Sequence, residues 1–416
     1  MSSSDRIRPS VAAQAVMFIA TALAMVGNYY VYDSIGPVAD LLARELRFSD
    51  TQIGTLNAIY SVPNIFMVLV GGVLVDRFSA RTITVITASL CLLGAALTAV
   101  GEQFVVMAAG RLVFGLGAET MIVAITVGLA QWFAGRYFAL FFALNLSLAR
   151  LGSFLADRSP SFARPLYDQG WQPPLWLASG FAALALVACA AYWLVDRREA
   201  RRGTLAVAAP SERIDWGNLL RFRAEFWLIV GLCVAFYAVI LPFRSTFAIK
   251  YFQHAHGLGL EEASTMNSYV FLAAVFVTPV FGLLVDRIGR HATLMIGGSL
   301  LLPLSFVVLG ATSMGLAAPT VLLGVSFSLV PAVLWPAVAR YVAAEQLGTA
   351  YGLMTMLQNV GLAAANYIVG RFNDAGGASA ENPAGYDMML WFFGLLSLLG
   401  FACAVMLKLR ERPATT

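Results

Sequence analysis

Twelve separate stretches of this chain stay apolar for about 20 residues each, the length an α-helix needs to cross a lipid bilayer. They lie near 11–33, 50–75, 82–101, 104–130, 138–160, 173–195, 224–250, 263–285, 292–313, 315–340, 347–371 and 386–408. A backbone in lipid must satisfy its own N–H and C=O groups, so a chain of this kind folds as helices and not as an open sheet. The expected fold class is an all-α integral membrane protein of twelve transmembrane helices. Charged residues make up 12% of the 416, against about 25% in a soluble domain, which agrees with that class.

Six stretches fall on each side of a long polar segment, dividing the chain into a six-helix half at 1–195, a linker at 196–222 and a second six-helix half at 223–416. The basic residues set the expected orientation. Of the 27 lysines and arginines, 18 fall in loops and tails on the side of the termini, six in loops on the other side, and three (Arg111, Arg150 and Arg244) inside spans. Positive loops stay cytoplasmic, which places both termini and the linker in the cytoplasm. The net charge of +4 is a by-product of that topology, so no nucleic-acid partner is expected. The first span begins close to Met1 and is long enough to remain a helix, so no cleaved signal peptide is expected. The four cysteines fall within spans at no motif spacing and read as small core residues.

One phrase occurs twice at an offset of 210: Gly72-Val-Leu-Val-Asp76-Arg77 and Gly282-Leu-Leu-Val-Asp286-Arg287. Each copy stands where a span gives way to a short basic loop. Glycine lets two helices approach closely, while the aspartate can cap or pair with an arginine and clasp neighbouring helices. Arg81 completes the first copy, and Arg290 with His291 stands around the equivalent place in the second. Gly72, Asp76, Arg77, Arg81, Gly282, Asp286 and Arg287 are therefore the expected conformational gate.

Two six-helix halves carrying this phrase after the second span of each resemble the major facilitator superfamily. Further motifs resemble its lysosomal dipeptide transporter branch: Tyr32-Asp33, Tyr60-Ser61-Val-Pro63-Asn64, Gly110-Arg111-Leu-Val-Phe114-Gly115-Leu-Gly117-Ala-Glu119 and Trp132-Phe133. Leu146-Ser147-Leu-Ala149-Arg150-Leu-Gly152-Ser153 continues the series, followed by Leu334-Trp335-Pro336, Leu347-Gly348-Thr349-Ala350-Tyr351-Gly352 and Gln358-Asn359-Val-Gly361-Leu362-Ala363. The resemblance covers essentially the whole chain. It implies a carrier of small peptides, chiefly dipeptides, that works by alternating access, with a substrate site between the halves. It also implies that Glu119 and Arg150 serve that site, and it is the main basis for placing Tyr32 there.

The residues make a parallel case. Glu119 stands 16 residues before Gly135, at the turn between the fourth and fifth spans, and Arg150 stands 15 after it. At about 1.5 Å of rise per residue both lie roughly 22–24 Å from that turn, deep in the bilayer and at nearly equal depth. Ionised groups there are costly, so the two are expected to face an aqueous cavity, to pair, or both. A dipeptide offers an ammonium and a carboxylate, which glutamate and arginine complement; the planar guanidinium donates two parallel hydrogen bonds to a carboxylate. A structural ion pair between adjacent helices is the competing reading.

Arg111 shares a helix side with Glu119 at two-turn spacing, and structural and binding roles stay open for it. Tyr29, Tyr30 and Tyr32 read as an interfacial aromatic belt. Tyr60 and Asn64 flank Pro63, which weakens the local backbone ladder; Tyr60 is a candidate substrate contact, with packing as the competing role. Arg244 departs from the family's pattern; facing the cavity, it adds a second positive charge that favours acidic peptides or organic anions, and snorkelling outward it does neither. Asp157-Arg158-Ser-Pro160 is a second departure, read as a helix terminus with a broken last turn.

Displacement by 210 carries Glu119 to Leu329 and Arg150 to Val360, so no charge answers them in the second half. That half is expected to close over the substrate with Trp335, Tyr351, Gln358 and Asn359. His254-Ala-His256 reads as a solvated outer loop, and no metal site, cofactor or catalytic residue is expected. The expected partners are a small-molecule substrate and the lipid bilayer, with the chain acting as a monomer. A proton-coupled carrier of an organic anion is the runner-up, and a scaffold that has lost transport is a more distant one. Lysine occurs only at Lys250 and Lys408; arginine-dominated usage suits a bacterium with GC-rich coding, hence a cell inner (cytoplasmic) membrane.

Overall fold

The computed structural model describes residues 9–133, 136–202, 222–288, 291–311, 315–343 and 346–410, and among these the chain is helical with no strand. In order the helices are α1 (Val11–Asp33), α2 (Ile35–Glu45), α3 (Asp50–Phe78), α4 (Ala80–Val100), α5 (Phe104–Trp132), α6 (Arg136–Phe162), α7 (Arg164–Tyr167) and α8 (Gln172–Arg201). They continue with α9 (Ala224–Pro242), α10 (Ala248–His256), α11 (Leu260–Ile288), α12 (His291–Ala311), α13 (Ala317–Tyr341), α14 (Leu347–Gly376) and α15 (Asp387–Arg410). Each of the twelve apolar stretches coincides with one long helix, the seventh being a composite of α9 and α10. By length and composition nine described helices, or ten counting α3, suffice to cross a membrane. α11 and α14 are more polar: α14 carries Gln358, Asn359, Asn366, Asn373 and Asp374 along its length.

Local chemistry explains the breaks. The Ser10 hydroxyl accepts from Ala13 N–H at 3.2 Å and opens α1. Pro37 lies in the first turn of α2, where its missing N–H costs nothing, so the chain restarts at Ile35 after Ser34. Pro242 cannot donate to the ladder of α9, and one π-helical turn, Phe243–Phe247, follows it before α10 begins. The segment expected as a solvated loop is thus helical to His256, with the left-handed Gly257 closing it at φ 66°. The expected helix end around 157–160 is also corrected. α6 runs through Pro160 to Phe162, and Ala163 N–H still bonds Ser159 O at 2.8 Å.

The chain forms two compact units. The first comprises the described residues of 9–34, 62–156 and 165–202. In it α4 packs against α5 and α8, and α1 against α8. Glycines permit the closest approach. A Cβ on Gly94 of α4 would collide with the backbone of Phe114 in α5, and one on Gly110 of α5 would stand 2.6 Å from Thr98 N of α4. Where lipid removes the hydrophobic drive between helices, such backbone contact supplies the packing energy.

The second unit takes 35–61, 157–164 and the described residues beyond the linker. α9 packs on α14 and α15, α13 on α11 and α12, and α2 on α10 and the π turn. Phe243 sits at its aromatic core, with ring centroids 5.1 Å from Phe306, 5.8 Å from Phe393 and 6.2 Å from Phe252. The predicted linker overlaps α8 as far as Arg201, and its residues 203–221 lie outside the described residues.

Replacing Gly94 or Gly110 by valine is expected to cost about 1–3 kcal/mol through overpacking of α4 on α5. The check is a lowered thermal midpoint of the purified protein in detergent, with Gly180→Val, where a Cβ meets nothing within 4 Å, as the neutral control.

Candidate functional site

α5 carries Arg111 and Glu119, α6 carries Arg150, and the last turns of α1 carry Tyr29, Tyr32 and Asp33, all within the first unit. Glu119 and Arg150 are half-buried. Tyr29 lies within electrostatic reach of both, and of Asp33. Glycine again sets the geometry. A Cβ on Gly152 would overlap Val26 O, so α6 lies directly against α1 one turn before Tyr29, and Arg150 is delivered to that neighbourhood. Tyr29, Tyr32 and Asp33 follow an i, i+3, i+4 spacing and share one face of α1. Tyr30 faces elsewhere, 1% exposed and stacked on Phe181 at 3.8 Å, so it belongs to the packed interior and not to a lipid-facing belt. Tyr29 is the residue that sequence reasoning passed over, and its shared face with Tyr32 and Asp33 is the signal that marks it.

Arg111 is 1% exposed and donates to Val31 O and Tyr32 O, both at 3.0 Å. Its guanidinium also lies 5.3 Å from the Phe114 ring centroid and 6.0 Å from that of Tyr32. Those carbonyls end α1, where the unpaired C=O groups and the negative end of the helix dipole favour a cation. Arg111 therefore fixes the turn that presents Tyr32 and Asp33.

In the second unit Trp335 and Tyr351 come together, ring centroids 6.0 Å apart. Trp335 Nε1 donates to Tyr237 Oη at 3.1 Å, and Tyr351 Oη donates to Trp335 O at 3.1 Å. Gln358 Oε1 accepts from Cys233 Sγ at 3.5 Å, facing α9. Asn359 is 3% exposed and bonds Thr355 O of its own helix at 3.0 Å. Tyr60 is 6% exposed in the same unit. Tyr237 joins the aromatic group although no motif points to it.

Arg244, expected to add a second positive charge, is already neutralised: its Nη2 bonds Asp157 Oδ2 at 2.6 Å. Lys250, counted among the outer-loop cations, is 6% exposed and paired with Asp50, to which Asn373 Nδ2 also donates at 2.9 Å. His254 is held too, with Nε2 2.8 Å from Asp40 Oδ1 and Nδ1 2.8 Å from Tyr386 Oη.

Of the expected clasp residues, Arg81 reaches Asp196 of α8 at 3.0 Å, and the same carboxylate accepts from Trp132 Nε1 at 2.7 Å. Asp196 carries no motif signal. Asp76 and Arg77 are exposed at the end of α3, next to the half-buried Gly72, and Arg287 is exposed at the end of α11. The side chains at Gly282, Asp286 and His291 and all of Arg290 lie outside the described residues.

Ionisable side chains half-buried in a bundle of apolar helices are costly and mark a substrate or ion pathway, the feature of a membrane transport protein. The Major Facilitator Superfamily profile matches residues 17–366 and again 243–416, and the chain belongs to that family. It is a transporter and not an enzyme. It is similar to the lysosomal dipeptide transporter MFSD1 of Bos taurus, 32% identical over 363 residues, covering 84% of this chain and 77% of that protein. The motif resemblance is thereby borne out. At greater distance, the probable sulfoacetate transporter SauU of Cupriavidus necator is 24% identical over 355 residues, 77% of this chain and 78% of its own. The fold matches a crystal structure of a point mutant of the nucleoside transporter NupG with a TM-score of 0.77, covering 94% of this chain and 99% of that one at 14% identity.

Substituting Arg111 by methionine should strip one donor from Val31 O, which keeps the Ser34 hydroxyl at 2.8 Å, and one from the part-buried Tyr32 O, at about 1–3 kcal/mol in all. The expected outcome is a clear fall in the thermal midpoint, larger than that caused by Arg150→Ala at the half-buried site, with both measured in the same detergent.

Proposed function

We propose that this transporter carries small peptides, dipeptides first among them, by alternating access and without coupling to an ion. The observation that carries the reading is the convergence of Glu119, Arg150 and Tyr29 on three packed helices of one unit. Glu119 anchors the peptide ammonium, Arg150 grips the carboxylate with its planar fork, and Tyr29 and Tyr32 line the span between them. Arg111 positions the Tyr32 turn. Trp335, Tyr351 and Gln358 supply the apolar and amide surface that side chains and the peptide bond require, and Asn359 stiffens their helix. The similarity to a dipeptide transporter over 84% of this chain supports the same substrate class. Clasps around Asp76 and Asp286 alternate on the face bearing the termini, which we place in the cytoplasm, with the monomer in the cell inner membrane. The two six-helix halves, 1–195 and 223–416, are the moving parts.

One observation favours a second reading, proton-coupled carriage of an organic anion: the similarity to a protein named for sulfoacetate. A carboxyl group such as Glu119 can serve either scheme, as a fixed anchor or as a proton carrier.

Purified protein is expected to gain several degrees of thermal midpoint with dipeptides and less with free amino acids or dicarboxylates. Arg150→Ala and Glu119→Ala should each abolish that gain while remaining folded, and a full gain in Arg150→Ala refutes the anchor assignment. In proteoliposomes labelled dipeptide should equilibrate without a proton gradient; uphill accumulation only under an inward proton gradient favours the second reading.

A further inference from the structure

Arg244 and Asp157, two irregularities far apart in the sequence, are each other's partner. They are 87 residues apart in sequence, with side chains 1% and 2% exposed. Asn267 Nδ2 donates to Asp157 Oδ1 at 3.0 Å and to Arg244 O at 3.1 Å, and the guanidinium lies 4.0 Å from the Phe271 ring centroid. The pair is one of several polar layers among the described residues of the second unit. Each layer ties residues 35–61 or 157–164 to helices that follow the linker. The next layer is Thr246, which bonds Asn57 Nδ2 and Asn366 Oδ1, both at 2.7 Å. Further along are Lys250 with Asp50, where the Asp374 carboxylate also accepts from the Asp50 and Thr51 N–H groups at 2.7 and 2.9 Å, and His254 with Asp40 at 2.8 Å.

A buried ion pair is a poor source of stability, because desolvation offsets most of its attraction and an apolar pair of the same shape holds as well or better. A seam that must open to water has different needs. Polar groups make its hydrated state tolerable, and their geometry makes reclosure specific. Asp157 also lies seven residues beyond Arg150 on α6, two turns along one helix face and about 10 Å further along the axis.

We propose that Arg244 and Asp157 form a releasable clasp that sets the balance between closed and open states on the face opposite the termini, acting on the site through α6. They are positioning residues, and the proposal rests on the alternating-access reading above. The two ways of removing the pair shift the balance in opposite directions. Arg244→Met alone leaves Asp157 buried without its main counter-charge and favours opening, where water reaches it. Arg244→Met with Asp157→Leu makes the seam apolar and favours closure.

The test uses a full-length chain in liposomes, with its native cysteines replaced by alanine and Ser61→Cys as reporter. Ser61 is 1% exposed in the same unit as the clasp. An impermeant maleimide is applied to the face opposite the termini while dipeptide exchange and the thermal midpoint are followed. Against the reporter parent, the single variant should label at least fivefold faster. The double variant should label and exchange at least tenfold more slowly, with a midpoint equal to or above the parent's. Equal labelling in all three chains, or a double variant that loses exchange together with its thermal midpoint, overturns the clasp. A parent that never labels and exchanges nothing defeats the alternating-access reading instead.

Discussion

An ionised side chain inside a lipid-embedded bundle must find an opposite charge, a set of hydrogen-bond partners or water, because the surrounding apolar helices offer none of these. The deep cations of this chain meet that demand in different ways. Arg111 spends its donors on the carbonyls that end α1, Arg244 is closed by Asp157, and Lys250 meets Asp50. Arg150 and Glu119 are half-buried, Arg150 on a helix that Gly152 lets approach α1 and Glu119 on a helix that Gly110 and Gly117 let approach α4. Fully buried charges thus differ from the half-buried pair proposed as the anchor, although all of them look alike when read along the chain.

Much of the fold was legible because its determinants are local. A run of about 20 apolar residues specifies a spanning helix without reference to anything distant, and the basic loops and the Gly-x-x-x-Asp-Arg repeat locate the turns. What escaped was long-range. Asp157 and Arg244 read as two unrelated irregularities since nothing in one segment reports a partner 87 residues away. Lys250 and His254 looked solvated because charge suggests a loop, whereas Pro242 and the π turn redirect α10 so that both meet aspartates. At the candidate site Glu119 and Arg150 stand out in the sequence by depth matching, and both are half-buried in the structure. Tyr29 does not stand out, because three neighbouring tyrosines suggest a collective role, and only their angular spacing on α1 separates the packed Tyr30 from its companions.

Two kinds of helix contact coexist in the molecule and differ in physical character. In the first unit Gly94 and Gly110 bring backbones together with no side chain between them, a contact strong in dispersion and indifferent to water. In the second unit the segments 35–61 and 157–164 are held by carboxylates, amides, a hydroxyl and two cations, groups that hydrate readily when parted. Contacts of the first kind suit permanent assembly, and those of the second suit repeated separation.

The continuity of α6 through Pro160 has one more consequence. Arg150 and Asp157 share a single rod, so a torque applied at one is felt at the other without any chain of intervening contacts. Stiffness then becomes a functional property of that helix. With Arg150 as the proposed anchor, a softer α6 would let a bound molecule pull on it while the far end stayed still, and the carrier would hold its cargo with no means of acting on the fact.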